Sequence, residues 1–363
     1  MKIVAYSDVH SHEYKNHSWV TETGLNSRVE DIIQAVSCIY EYADKIKAPR
    51  IFAGDMFQIK GQIPVTGFNE LYRLITGHSA GRKMQDIMLP GNHDMATPDG
   101  RRHALEVFAN GGNVVIGHPS VFSPWPGVVV GAIPYPMEDG KFSARKFVEA
   151  YNFLAENCSG PEYKGFTKVL VSHLYTHELM GKYHGVAGDI NGKDLLESFD
   201  VALLGHHHIH DVIEGDRGKK CVSIGAPVQH TFNDVGDRRG FIVLNTETLE
   251  VEHHEIESRK FWSFTGKDSI VPEKASGSFV RVRVGSKAEG EKARKELEKA
   301  GAVSIVVEVV PETKKARLDL DLESSGGKDE EIVQKFLDSE YCTTDLDKAE
   351  LKTLANRYLS KAA

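Results

Sequence analysis

Met1-Lys2-Ile3-Val4-Ala5-Tyr6-Ser7-Asp8-Val9-His10 opens the chain with a short apolar strand that runs into a polar turn. The pattern returns in Arg50-Ile51-Phe52-Ala53 followed by Gly54-Asp55, and between the two Ile32, Ile33, Val36, Ile39, Tyr40 and Ala43 recur at helical spacing. Strand, amphipathic helix and strand make a βαβ unit, so the chain reads as α/β with a parallel sheet. Ile87-Met88-Leu89 then leads into Pro90-Gly91-Asn92-His93-Asp94, Val169-Leu170-Val171 into Ser172-His173, and residues 201–204 into Gly205-His206-His207-His208. Five strand ends thus carry Asp, His or Asn to the place where the loops of an open α/β sheet converge on a ligand.

Further short strands are expected at residues 127–133, 221–224, 241–245 and 249–256, and their grouping suggests a second sheet packed on the first. From about Trp262 the character changes. Phe279–Val284 alternates like a strand, residues 289–299 form a charged helix and residues 303–310 another strand, which makes a small βαβ module. Ser324-Ser325-Gly326-Gly327 reads as a flexible linker. Two amphipathic helices follow, carrying Ile332, Phe336 and Leu337, then Leu351, Leu354, Tyr358 and Leu359.

Composition narrows the function classes. The 363 residues are 40% apolar and 26% charged, typical of a soluble globular chain of about two domains. No apolar run approaches the roughly 20 residues that span a bilayer, and Asp8 falls where the apolar core of a secretory signal would lie, so a cytoplasmic protein is expected. Cys38, Cys158, Cys221 and Cys342 stand far apart and read as reduced thiols rather than a zinc or disulfide framework. A net charge of −8 excludes nucleic-acid binding through a diffuse positive surface alone. All 17 histidines fall between His10 and His254, which confines imidazole chemistry to the first two-thirds.

Mixed imidazole and carboxylate donors with one amide suit first-row divalent metals better than calcium, which prefers oxygen. Asp8-x-His10 and His206-x-His208 each place two donors on the same side of an extended turn, and Asp55 has two carboxylate oxygens with which to bridge. Two ions about 3.5–4 Å apart clamp the attacking and leaving oxygens of a phosphoryl displacement and acidify a water between them. The reaction class is therefore phosphoester hydrolysis.

These motifs resemble the calcineurin-like metallophosphoesterase superfamily, whose pattern is D-x-H, G-D, G-N-H-D/E, H and G-H-x-H. Gly54-Asp55-Met56-Phe57, Gly91-Asn92-His93-Asp94 and Gly225-Ala226-Pro227-Val228-Gln229-His230-Thr231-Phe232 are further similar to SbcD-type DNA-repair exonuclease subunits, phage-encoded relatives included. The resemblance implies a four-layer α-β-β-α sandwich over residues 1–262, a βαβ capping and DNA-selecting domain over 275–322, and C-terminal helices over 328–363. It implies one metal on Asp8, His10, Asp55 and His208 and another on Asp55, Asn92, His173 and His206, with manganese the expected ion. His93 is then the catalytic residue that protonates the leaving oxygen, and Asp94 its orienting partner.

The implied activity is a metal-dependent DNA nuclease, exonuclease or endonuclease, acting in double-strand-break repair, recombination or end processing in a bacterial or phage-infected cell. Its implied partners are DNA ends and single strands and an SbcC-like ABC-type coiled-coil ATPase docked through Asp329–Asp338 and residues 347–360. A homodimer is also implied, with residues 32–43 as one candidate face and burial within the chain as the competing use of that face. Arg101, Arg102 and His230 are candidate DNA contacts; a solvated turn is the competing reading for the arginines and a structural loop contact for His230. Gln58 departs from the His or Asp that this nuclease group often carries there, and a Gln side chain cannot exchange protons. A small-molecule or cyclic-nucleotide metallophosphodiesterase is the alternative.

Overall fold

A computed structural model describes residues 1–184, 190–310, 329–338 and 347–362. In chain order its strands are β1 (Lys2–Tyr6), β2 (Arg50–Ala53), β3 (Ile87–Leu89), β4 (Val114–Val115), β5 (Ser120–Trp125), β6 (Val128–Ile133), β7 (Met137–Glu138), β8 (Lys141–Phe142), β9 (Thr167–His173), β10 (Val201–Gly205), β11 (Asp211–Glu214), β12 (Lys220–Ser223), β13 (Gly240–Asn245), β14 (Val251–Glu255), β15 (Phe261–Thr265), β16 (Phe279–Val284) and β17 (Ser304–Val309). The α-helices are α1 (Ser27–Lys45), α2 (Val65–Ser79), α3 (Ala144–Asn157), α4 (His177–His184), α5 (Gly192–Ser198), α6 (Pro272–Ala275), α7 (Lys287–Lys299), α8 (Asp329–Asp338) and α9 (Lys348–Ala362).

Two six-stranded sheets, ordered β14-β13-β1-β2-β3-β4 and β11-β12-β10-β9-β6-β5, form the two inner layers. Ile3, Ala5, Ile51, Ala53, Ile87 and Leu89 of the first sheet pack against Val128, Val130, Val169, Val171, Val201 and Leu203 of the second. The alternate residues of the first sheet, among them Val4, Tyr6, Phe52 and Met88, face Ile32, Val36, Ile39 and Leu71 of α1 and α2. On the far side Val129, Leu170 and Leu204 meet Phe147, Leu154, Leu195 and Phe199 from α3 and the α5 region. The result is the four-layer α-β-β-α architecture. Strands buried on both faces explain the unbroken apolar runs, and each fully buried large side chain contributes about 1.5–3 kcal/mol.

Two features differ from the sequence reading. The five site-bearing strands do not share one sheet: β1, β2 and β3 are parallel neighbours in the first, while β9 and β10 are parallel neighbours in the second. β13 and β14, expected in the second sheet, instead extend the first, β13 antiparallel to β1 and β14 antiparallel to β13. The unbroken apolar run of a strand buried on both faces, such as β13, does not say which sheet it joins. The face of residues 32–43 is used inside the chain, since Ile32, Val36, Ile39, Tyr40 and Ala43 are buried in the first core.

A third sheet, β15-β16-β17, is all parallel, with α7 packed on the face that carries Val280, Val282 and Val284. It meets the main body at specific points. The Phe261 N–H donates to Gln229 Oε1 (2.7 Å), and His17 Nδ1 lies 2.8 Å from Ser304 Oγ. α8 and α9 pack on each other. The expected linker at residues 324–327 and Cys342 lie outside the described residues. No described helix is long and apolar enough to cross a membrane.

Candidate metal centre

The loops after β1 and β2 run side by side: the Asp8 N–H donates to the Gly54 carbonyl (2.8 Å) and the His10 N–H to the Asp55 carbonyl (3.0 Å). Asp8, His10, Asp55 and His206 all have positive φ, at 54°, 48°, 63° and 88°. L residues rarely occupy this left-handed region, and such strain persists only where the surroundings over-determine it. Gly54 (φ 101°) is required twice over, because a Cβ there would lie 2.8 Å from Gly91 Cα and overlap the His173 ring.

Three groups of side chains converge: Asp8, His10 and His208; His10, Asp55 and His93; Asp55, His173 and His206. Within each, the donor atoms lie within 4.8 Å of one another. His10 Nε2 is 3.0 Å from His208 Nε2, 3.6 Å from Asp55 Oδ2 and 3.8 Å from Asp8 Oδ1. His173 Nε2 is 3.2 Å from Asp55 Oδ2 and 3.1 Å from Asn92 Oδ1. The His173 Nδ1–H donates to the Ala53 carbonyl (2.7 Å), which turns Nε2 toward the cluster. Imidazole nitrogens that face each other and two carboxylates have an excess of lone pairs over protons, so this donor set fits divalent cations. His208 is 36% exposed while Asp8 and His173 are fully buried, so the cluster opens to solvent on the His208 side.

His93 belongs to the second of these groups, its ring edge-on to His10 at 5.0 Å. Its Nδ1–H donates to the Gln58 carbonyl (2.6 Å), and its backbone N–H to Asp55 Oδ1 (2.8 Å). One expectation is corrected here. Asp94 does not orient the His93 ring; it accepts the N–H groups of Asp55 (2.8 Å), Met56 (3.0 Å), Phe57 (3.3 Å) and Gly91 (3.0 Å), and so ties the loop after β2 to the loop after β3. Position 58 acts on His93 through its backbone carbonyl, an atom every residue type supplies.

Burial alone would raise the Asp55 pKa, but His173, His10 and His93 together hold its carboxyl well below the usual range. Burial would likewise lower His173, and the Asp55 charge outweighs it, raising that imidazole to about 9. Burial lowers His10 to about 4 and takes His206 well below the ordinary imidazole value. Asp94 is pushed up to about 7 by burial and by the Asp55 charge, against the pull of its backbone donors.

The proposed DNA contacts fall in different places. Arg101 and Arg102 are solvated and already engaged, Arg101 with Asp99 (3.5 Å) and Arg102 with Glu106 (2.8 Å). His230 is corrected: it is buried, its Nε2–H donates to the Asp8 carbonyl (3.2 Å), and it braces the site from behind rather than meeting DNA. Sequence reasoning missed its supports. The Arg28 guanidinium, buried under Tyr14, Phe261 and Phe279, donates to the carbonyls of Gln229 (3.2 Å) and His230 (3.1 Å). The Tyr14 hydroxyl reaches the His10 carbonyl (3.1 Å) and His230 Nδ1 (3.3 Å). Also missed were Tyr135 and Tyr175; applying the strand-end rule to β6 and β9 would have found both.

The calcineurin-like phosphoesterase family matches residues 1–210, and the chain belongs to it. It is therefore a metal-dependent phosphoester hydrolase of a family that uses two divalent ions, and the side-chain groups described above are candidates to hold them. Among solved structures, a dimetal phosphatase from Danio rerio is similar over 67% of this chain and 91% of its own, at 10% identity and a TM-score of 0.44. A protein assigned as a 5′-nucleotidase from Staphylococcus aureus, solved with α-ketoglutarate, is similar over 82% of this chain and 58% of its own, at 16% identity and a TM-score of 0.42. No curated protein matches the chain in sequence.

Proposed function

We propose that the chain is a two-metal-dependent DNA nuclease subunit acting with an SbcC-like ABC-type ATPase in break repair, recombination or end processing. The observation that carries this reading is the wall beside the site. The loop that places His230 behind Asp8 continues to Phe232, which packs on Phe261 (4.9 Å) and under the Arg281 guanidinium (4.8 Å) of the three-stranded module. A module attached to the catalytic loops suits a substrate larger than a free phosphate ester. In this reading the ion is manganese, the ATPase docks on α8 and α9, where Phe336 and Leu354 are exposed, and the working particle is a cytoplasmic homodimer.

Asp8, His10, Asp55 and His208 would hold one ion, and Asp55, Asn92, His173 and His206 the other. When bound, two such ions supply Lewis acidity at the phosphate and lower the pKa of water between them. Asp94 keeps the Asp55 and His93 loops in fixed register. The carbonyl of Gln58 fixes the His93 ring with Nε2 available to hand a proton to the leaving oxygen.

A small-molecule or cyclic-nucleotide phosphodiesterase is the second reading. It is favoured by the acid-paired state of Arg101 and Arg102 and by the net charge of −8. The deciding assay offers purified protein, with manganese, end-labelled duplex DNA, single-stranded DNA and bis(p-nitrophenyl) phosphate, with His93→Ala and Asp55→Ala as controls. DNA degradation lost in both variants supports the nuclease. Cleavage of the chromogen with both DNAs intact, even beside a candidate ATPase, supports the second reading.

A further inference from the structure

Two tyrosines that neither the metal groups nor the proton donor use stand at one end of the cluster. Tyr135 follows β6, and its N–H donates to the Pro90 carbonyl (3.2 Å) at the root of the loop that bears Asn92 and His93. Tyr175 lies two residues past His173. Both rings border His206, Tyr135 at 5.7 Å and 55° and Tyr175 at 4.1 Å and 59° between ring planes, and Tyr135 also reaches His173 at 6.2 Å. Both are half-buried, so each keeps part of its surface exposed.

The His93 ring instead packs against His10, and His93 groups with His10 and Asp55. The leaving-group proton donor and the aromatic pair therefore make their ring contacts with different histidines of the cluster. A phosphate ion offers an aromatic face nothing to bind, whereas a planar base offers a matching apolar surface. We propose that Tyr135 and Tyr175 form a stacking subsite for the base of the nucleotide that keeps the phosphate, on the ester arm turned away from His93. This deepens the nuclease reading and rests on its phosphodiesterase chemistry.

The test holds the leaving group constant and varies the retained arm. Thymidine 5′-(p-nitrophenyl phosphate) and methyl p-nitrophenyl phosphate both release p-nitrophenolate, which leaves without needing a proton, so the comparison does not depend on His93. With manganese, the full-length protein should prefer the thymidine ester. Tyr135→Ala and Tyr175→Ala should each reduce the ratio of the two kcat/KM values, roughly 5- to 100-fold for loss of one base-stacking contact. Tyr→Phe should preserve the ratio, and Tyr→Leu, which keeps bulk without a π face, should reduce it. Calorimetric affinity for thymidine 5′-monophosphate should follow the same order. Equal losses on both esters in every variant, or an unchanged ratio in the Ala and Leu variants, would overturn the subsite while leaving the phosphodiesterase reading intact. Failure of the wild type to hydrolyse either ester would instead overturn that parent reading and the subsite with it.

Discussion

Four backbone N–H groups aimed at one carboxylate make Asp94 a structural keystone of the site rather than a participant in proton transfer. Asp94→Asn keeps the shape but gives up one acceptor oxygen, so buried donors are left unmatched. It should cost about 1–3 kcal/mol of stability and weaken manganese binding, read by thermal melting and calorimetric titration. His93→Ala makes the complementary prediction: kcat should fall by roughly 10²–10⁴ with manganese affinity kept. Loss of affinity to the same degree would make His93 a ligand. These residues were legible because Asp, Asn and His after an apolar run are conspicuous. Tyr14, Arg28 and the Gln58 carbonyl were not, since they act from separate segments or through backbone atoms that carry no residue-type signature.

At the scale of elements, β14 brings a half-buried imidazole, His253, whose two buried nitrogens have no hydrogen-bond partner. His253 stacks on His210 at 4.4 Å, and burial, His210 and Arg238 lower its pKa from 6.5 to about 4. The folded chain therefore keeps His253 neutral where the unfolded chain takes up a proton. Its contribution to stability is complete above about pH 6.5 and is lost progressively as the pH falls toward 4. Denaturant midpoints at pH 7.5 and 5 should show this loss, and His253→Phe should shrink the difference. An undiminished difference in the variant would assign the acid sensitivity elsewhere. Arg28 is the corresponding link between α1, the His230 loop and the three-stranded module. Arg28→Ala removes two charge-assisted hydrogen bonds, each worth roughly 1.5–3 kcal/mol, and should lower stability accordingly, with the fluorescence of Trp262 reporting whether the module shifts.

For the whole molecule, the decisive arrangement is that the cluster draws on both inner sheets. Asp8, Asp55 and Asn92 come from the first, and His173, His206 and His208 from the second. An ion held across them clamps one sheet to the other, so manganese at a hundred times its Kd should add about 2.7 kcal/mol of stability. Chelation should remove that increment and Asp55→Ala should abolish it, both read as shifts in Tm. The layered α/β class was legible from helical and strand periodicities alone. The division of the strands between two sheets was not, because inward and outward faces of a doubly buried strand are equally apolar.

The pairing of Lys2 with Asn245 has a consequence for the nascent chain. On the ribosome β1 waits for its β13 neighbour until some 240 residues more have been made, on the order of 10–50 s at ordinary elongation rates. His206 and His208 also emerge late. Until they do, the Asp8 turn lacks its partners from the second sheet, so the full donor set cannot assemble on a half-made polypeptide. The order of translation thus acts as a safety catch, released only when the site-bearing strands of both sheets have been synthesised.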